Sequence, residues 1–409
     1  MPEFGTMAVD WEERIDFARM RRYRVAQAQK ALAESDAEVL LINRMEDVRY
    51  ISGFRHHLGP VARLGNEMAV MPKEGGPILY VKDRVHARAR MPWMDKEQIR
   101  EININWREYL GLKEWADDLQ SLVGDLRGKK IGVDLMTVTM LRKLEEIFPE
   151  SELVDGWTIL SKGKMVKSED EIECIKAATM ITEAGFDALL RKLRPGVKEC
   201  ELLAEAWRVF TELGSEWSQC ANIVCSGPYT APYRRFTSDR IVRLGDPVII
   251  DIGAGFNGYW GDFTRTWICG DIDPTPEQVE WHMKAYNAVH AACDAARVGN
   301  TNADIFAAAG PYHLYSLGHA AGINPWEPPF LTPETKNAPV PLKPNMVFNI
   351  EPYAGKEGVG GFRLEQNVIV RESGPEVFTT FPFDERLVTD VHPLDRTTGR
   401  TRNKRGAAY

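Results

Sequence analysis

The 409 residues are 44% hydrophobic and 27% charged, which fits a globular chain long enough for two domains and excludes a disordered or fibrous one. Acidic residues (59) outnumber lysine plus arginine (51) for a formal charge of -8, so no nucleic-acid partner is expected. No apolar run reaches the ~18–20 residues of a membrane span and the cysteines form no CxxC pair, so a reduced, cytoplasmic protein with no membrane partner is expected.

Residues 1–6 (MPEFGT) precede a second methionine and read as vector-derived. From residue 10 to 35 the spacing predicts a helix, and the run Val39, Leu40, Leu41, Ile42 predicts a buried strand. Strand-like stretches at 67–71, 77–81 and 130–134, with a helical pattern over 110–123, predict an α/β domain over 7–162. Ser168 with Glu171 makes a capping box that opens a long helix, with Ile172, Ile175, Ala178, Phe186 and Leu189 on one face. A helix over 197–213 and strands at 222–226, 246–253 and 262–269 follow. Thr275-Pro276-Glu277-Gln278 is a second capping box, for a helix reaching about residue 297. Strands at 346–350, 361–370 and 376–380 complete an α+β domain over 163–392, and 393–409 reads as a flexible basic tail.

Carboxylates recur where apolar strands should be buried. Asp251 closes Pro247-Val-Ile-Ile, Asp262 heads the next strand, Glu351 ends Val347-Phe-Asn-Ile, and Glu365 sits inside Arg363-Leu-Glu-Gln-Asn-Val-Ile-Val. A hairpin would bring Asp251 to Asp262. Burying an ionised carboxylate costs several kcal/mol unless it is paired, and a cluster of cations would neutralise all four at once. His319, between small residues that permit close backbone approach, is the candidate nitrogen ligand.

The order Asp-Ile-Gly, Gly-Tyr-Trp-Gly-Asp-Phe-Thr-Arg-Thr, Gly-His, Asn-Ile-Glu-Pro and Arg-Leu-Glu-Gln-Asn resembles the pita-bread family. That family includes methionine aminopeptidase, Xaa-Pro peptidases, creatinase, ectoine hydrolase and a dimethylsulfoniopropionate lyase. The resemblance covers about residues 160–385, while residues 7–162 are similar to the creatinase-type N-terminal domain. It implies a pita-bread fold in which Asp251, Asp262, His319, Glu351 and Glu365 bind two divalent ions, with Asp262 and Glu365 bridging. Four carboxylates and one imidazole suit Fe, Mn, Zn or Co. It further implies a homodimer in which Arg55, His56 and His57 reach the partner's site to bind a substrate carboxylate or to shuttle protons.

The chain departs from the peptidases at two places. Where Xaa-Pro peptidases carry a histidine after a Ser-Gly-Pro turn, Tyr233 stands here, and where the dipeptidases carry a second one, the stretch is Gly322-Ile-Asn-Pro-Trp-Glu327. General acid–base help is worth ~10²–10⁴-fold, so these losses argue against ordinary peptide hydrolysis. Strings at 226–232, 265–271 and 379–384 resemble the lyase, although Gly253 and Pro325 stand where that lyase has acids. The expectation is therefore a dinuclear enzyme cleaving a small non-peptide molecule by proton abstraction and elimination, with Tyr233 or Glu327 as base. Trp326 and Tyr229 would supply aromatic walls, and Arg363 would anchor an anion or balance the carboxylates. The alternative is an Xaa-Pro dipeptidase or a small-amide hydrolase of the creatinase or ectoine type, and a minor one is a non-catalytic binding module.

Overall fold

The computed structural model describes residues 15–55, 64–101, 104, 109–216, 222–233 and 235–397. The chain divides between Asp170 and Glu171 into two compact units. In the N-terminal unit, α1 (Phe17–Ala33) opens on Asp16, whose carboxylate accepts from the Arg19 backbone N–H at 2.8 Å and caps the helix. After it come β1 (Ala37–Arg44), α2 (Met45–Ser52), β2 (Leu64–Pro72), β3 (Ile78–Val81), α3 (Arg84–Arg90) and β4 (Ile99–Glu101). Then α4 (Leu112–Val123), β5 (Lys130–Val133), α5 (Val138–Ile147), β6 (Glu152–Asp155) and α6 (Gly156–Lys164) complete the unit. The strands form one sheet in the order β4-β3-β2-β1-β5-β6, parallel from β1 through β5 to β6 and antiparallel on both sides of β2. Central β1 is buried on both faces, which is why it reads as a continuous apolar run; Val39 and Leu41 pack with Trp115, Leu119 and Leu144. The short edge strands β4 and β6 left no periodic signal in the sequence.

The C-terminal unit takes in most of α7 (Glu169–Lys192), followed by α8 (Glu199–Glu212). Ile172, Ile175, Ala178, Phe186 and Leu189 are all buried, as their helical spacing requires. Next come β7 (Ile223–Ser226), β8 (Pro247–Ile252), β9 (Gly255–Phe256), β10 (Tyr259–Trp260) and β11 (Phe263–Ile268). Helix α9 (Pro276–Ala295) starts at Thr275, where Thr275 and Gln278 exchange the two bonds of a capping box at 2.9 and 3.2 Å. Beyond α10 (Asn302–Ala308) lie β12 (Gly318–Ala320), β13 (Glu327–Leu331), β14 (Val347–Ile350) and β15 (Tyr353–Lys356). The last strands are β16 (Gly360–Arg363), β17 (Gln366–Arg371) and β18 (Gly374–Val377).

These strands make antiparallel sheets β11-β8-β7 and β13-β12-β14-β17-β18, with the two-stranded ribbons β9-β10 and β15-β16, so the unit is α+β as expected. Residues 393–397, expected to begin a flexible tail, instead form the short helix α11 (Pro393–Thr397), held because buried Asp395 accepts from the Tyr286 hydroxyl. The rest of that tail, 398–409, lies outside the described residues. Among the described residues no helix is long and apolar enough to cross a membrane.

Candidate metal centre

Asp251 belongs to β8, the middle strand of its sheet, where it pairs with Thr264 of β11 and Ile223 of β7. Every residue of β8 is buried, so the aspartate enters the interior because the apolar strand carries it there. The chain then turns through the β9-β10 ribbon at Asn257-Gly258, both with positive φ (50° and 84°), the conformation a tight two-residue hairpin turn demands. It returns through Gly261, where a Cβ would lie 2.4 Å from the backbone of Ala178, and delivers Asp262 to the head of β11. The hairpin expected between the two aspartates is thus present, set inside the longer β8-β11 pair. His319 is the middle residue of β12, opposite Asn349 of β14, and Glu351 directly follows β14.

Residues 361–370 were expected to be one strand. The chain instead breaks at Leu364 and Glu365, because β16 pairs with β15 while β17 pairs with β14. At the crossing the Glu365 N–H donates to the Thr264 carbonyl at 2.9 Å, which turns its side chain to the aspartates. Arg363 and Glu365 therefore lie on either side of the break, yet both side chains reach the acidic cluster.

Ligand atoms of Asp251, Asp262 and Glu365 all lie within 4.8 Å of one another, and all three residues are buried. His319 Nε2 is 3.8 Å from Asp262 Oδ2. Its Nδ1 faces the Ala320 carbonyl at 3.1 Å, a contact that places the ring proton there and leaves the Nε2 lone pair toward the acids. Burial pushes the imidazole down to about 4, so it is neutral at neutral pH, the form that ligates a cation. Glu365 Oε2 accepts from the Thr264 hydroxyl at 2.9 Å, while its buried Oε1 has no hydrogen-bond partner among the described residues. Burial first, and then the charges of Asp262, Glu351 and Asp251, hold the Glu365 carboxyl well above the usual range. Glu351 joins the group through Arg363, whose fully buried guanidinium donates to both Asp251 Oδ2 and Glu351 Oε2.

One guanidinium against four carboxylates leaves a buried excess of negative charge. Such an excess is tolerated when cations share it, and an orphan carboxylate oxygen beside a neutral imidazole is the donor set a divalent ion fits. The residues present therefore suit a pair of divalent metal ions.

Around this centre the expected site residues fall in different places. Tyr233 is buried, with its hydroxyl 3.4 Å from Asp251 Oδ2 and 3.5 Å from Arg363 Nη1 and its ring stacked on Tyr353. Trp326, 42% exposed, stands edge-on to His319 with ring centroids 6.5 Å apart, so it forms an outer wall. Glu327 is buried at the start of β13, accepting from the Asn324 N–H at 3.1 Å and packing on Gly322, where a Cβ would lie 2.2 Å from its Oε2. Tyr229 is half exposed, with the Arg235 guanidinium 4.4 Å above its ring, so its ring is committed to arginine and not to the carboxylates. Arg363 balances acids, the second of the two roles considered for it. Arg55 is exposed and belongs to the N-terminal unit, while His56 and His57 lie outside the described residues.

Two asparagines were missed. Asn367 Nδ2 donates to the Asp262 carbonyl and to Asn349 Oδ1, each at 2.9 Å, and Asn349 Nδ2 reaches the same carbonyl at 3.4 Å. Each is a polar residue inside an apolar strand, the signal that had exposed the carboxylates.

The model of metallopeptidase family M24 matches residues 173–372, and that of the creatinase/prolidase N-terminal domain matches residues 24–166. An Xaa-Pro dipeptidase from Pyrococcus horikoshii is 26% identical over 360 residues, covering 85% of this chain and 93% of that protein. One from Pyrococcus furiosus is 30% identical over 230 residues, 54% of this chain and 65% of that protein. The solved X-Pro aminopeptidase of Thermotoga maritima MSB8 superposes with a TM-score of 0.71 at 26% identity, covering 88% of this chain and 98% of that one. Peptidases of family M24 use two divalent metal ions, in keeping with the acidic cluster. The expectation of lyase-type elimination is overturned. It rested on the missing imidazoles at Tyr233 and Trp326 and on the strings that resemble the lyase, yet the similarity is to Xaa-Pro peptidases.

Proposed function

We propose, from the premise that the chain belongs to metallopeptidase family M24 and carries a creatinase/prolidase N-terminal domain, that it is a cytoplasmic, homodimeric Xaa-Pro dipeptidase. The carrying observation is the buried convergence of Asp251, Asp262 and Glu365 beside a neutral His319, within a chain similar over most of its length to such enzymes. Asp251, Asp262, His319, Glu351 and Glu365 would hold the two ions. When bound, the ions supply Lewis acidity, acidifying water and polarising an amide carbonyl. Thr264, Asn367 and Arg363 orient the acids: the threonine hydroxyl fixes Glu365 Oε2, the asparagine fixes the Asp262 main chain, and the guanidinium spans Asp251 and Glu351. The Tyr233 hydroxyl, at the edge of Asp251, stands where a substrate amide would approach and offers the hydrogen bond that a histidine offers in Xaa-Pro peptidases. Trp326 screens the His319 side from bulk water and presents a half-open aromatic face to the substrate.

The test is release of proline from Ala-Pro and Leu-Pro, against Ala-Ala and Leu-Gly, by protein loaded with Mn²⁺ and by protein stripped with a chelator. Turnover of the Xaa-Pro pair that disappears on chelation is expected. Protein carrying two equivalents of metal and releasing no proline would overturn the assignment. Sedimentation velocity tests the dimer: a species at the monomer mass of 46.3 kDa would exclude it.

A further inference from the structure

Glu199 lies outside the metal centre, in the first turn of α8, and is completely buried. A carboxylate at that depth is costly unless its lone pairs are met. Here both oxygens are met from one loop. Oε1 accepts from the Ser226 N–H at 2.9 Å, the Ser226 hydroxyl at 2.7 Å and Arg235 Nη2 at 2.5 Å. Oε2 accepts from the Ser238 N–H at 3.1 Å and the Ser238 hydroxyl at 2.8 Å. An acid in the first turn of a helix also complements the helix dipole, but an exposed side chain does that equally well. Complete burial among donors from 226–238 calls for another reason.

Ser226 and Ser238 flank the loop that carries Tyr233. The middle of that loop is fastened separately: the Tyr353 hydroxyl donates to the Thr230 carbonyl at 2.8 Å, and the Gly361 N–H donates to Thr230 Oγ1 at 2.9 Å. Tyr353 also stacks on Tyr233, with ring centroids 5.9 Å apart. With its ends clamped by Glu199 and its middle fastened to β15 and β16, the loop holds the Tyr233 hydroxyl against Asp251 and Arg363.

We propose that Glu199 is a positioning residue for the hydrolysis. By joining Ser226 to Ser238 it fixes the loop that presents Tyr233 to the metal centre, and it acts on the reaction through Tyr233 without touching substrate. The inference rests on the dipeptidase reading and deepens it.

The experiment compares the metal-loaded full chain with Glu199→Gln, Tyr233→Phe and the double variant. It reads hydrogen exchange at the 226–233 amides, metal content, and kcat/KM for Ala-Pro. Glu199→Gln is isosteric but replaces an all-acceptor group by one that donates, and bonds to a charged acceptor are the strong kind, so loop exchange should accelerate about tenfold or more. kcat/KM should fall about tenfold in the wild-type background with metal content unchanged, and scarcely change in the Tyr233→Phe background, because the two residues act as one unit. Equal losses in both backgrounds, or unaltered loop exchange, would overturn the proposal. Should Glu199→Gln fail to fold, Ser238→Ala carries the test, with about threefold faster exchange expected and no change overturning it. Wild-type protein with no Xaa-Pro turnover would refute the dipeptidase reading, and exchange at the Ser226 amide would still decide whether Glu199 clamps the loop.

Discussion

Replacing Arg363 by methionine separates two explanations of the buried charge. The guanidinium is fully buried and donates to Asp251 and Glu351, two of the five expected ligands. Without metal it is the cation that these acids share, and breaking a buried ion pair by removing one partner costs about 3–5 kcal/mol. For a unit the size of the C-terminal one, each kcal/mol lowers Tm by about 2–4 °C, so a fall of roughly 6–20 °C is expected in chelator. Bound divalent ions would carry most of that compensation, and the loss with Mn²⁺ present should be less than half as large. Calorimetry of both proteins in EDTA and in Mn²⁺ gives the four values needed. Lysine at 363 keeps the charge but cannot span both acids, and should fall between arginine and methionine. A methionine variant equally destabilised with and without metal would show that Arg363 packs and does not compensate charge, and the reasoning would fail.

Glu365→Gln should reduce bound metal from about two equivalents to one or fewer, because it removes a negative charge from the ligand set; plasma emission analysis after gel filtration reads this, and undiminished content would exclude Glu365 as a ligand. Gly261→Ala sets a Cβ 2.4 Å from rigid α7 backbone, so a loss of about 1–3 kcal/mol with weaker metal binding is expected by urea titration and calorimetry, and a neutral effect would contradict the packing. Burial pushes His282 down to about 4, below its unfolded value of about 6.5. The unfolded chain therefore binds the extra proton between pH 6.5 and 4, so the stability from this group is complete above pH 6.5 and lost as pH falls toward 4. His282→Phe should make the decline between pH 7 and pH 5 shallower by about 2 kcal/mol in urea midpoints, and an unchanged slope would remove His282 from that account.

The sequence was informative where one strong local requirement acted alone. Thr275 and Gln278 form their capping box because the four-residue string is sufficient for it, and β8 is found from its apolar run because nothing else can cover such a strand. Asp251, Asp262 and Glu365 converge as expected because each stands out as a charge where burial forbids one. The break at Leu364 and Glu365 was hidden, since both halves have strand character and only their partners differ. The contacts of Tyr229 with Arg235 and of Glu327 with Asn324 were hidden for a related reason: adjacency in the chain to a functional segment says nothing of which way a side chain turns. Glu199 gave no signal, because an acid in a first helical turn is commonplace and its donors lie across a loop.

The short ribbon at Asn257-Gly258 constrains how this protein can vary. Asp251 is locked in register with Thr264 and Ile252 with Phe263, while Gly261 touches α7, so the connection between the two aspartates has fixed ends on both sides. Two residues could be added there, one per arm, and the ribbon would simply protrude farther. A single residue could not be shared between the arms: it would force a bulge in the ribbon or slip β11 along β8 and turn alternate side chains to the opposite face. Length changes at this loop should therefore accumulate in even steps among descendants that keep both aspartates, a parity rule that a library of loop insertions would reveal directly.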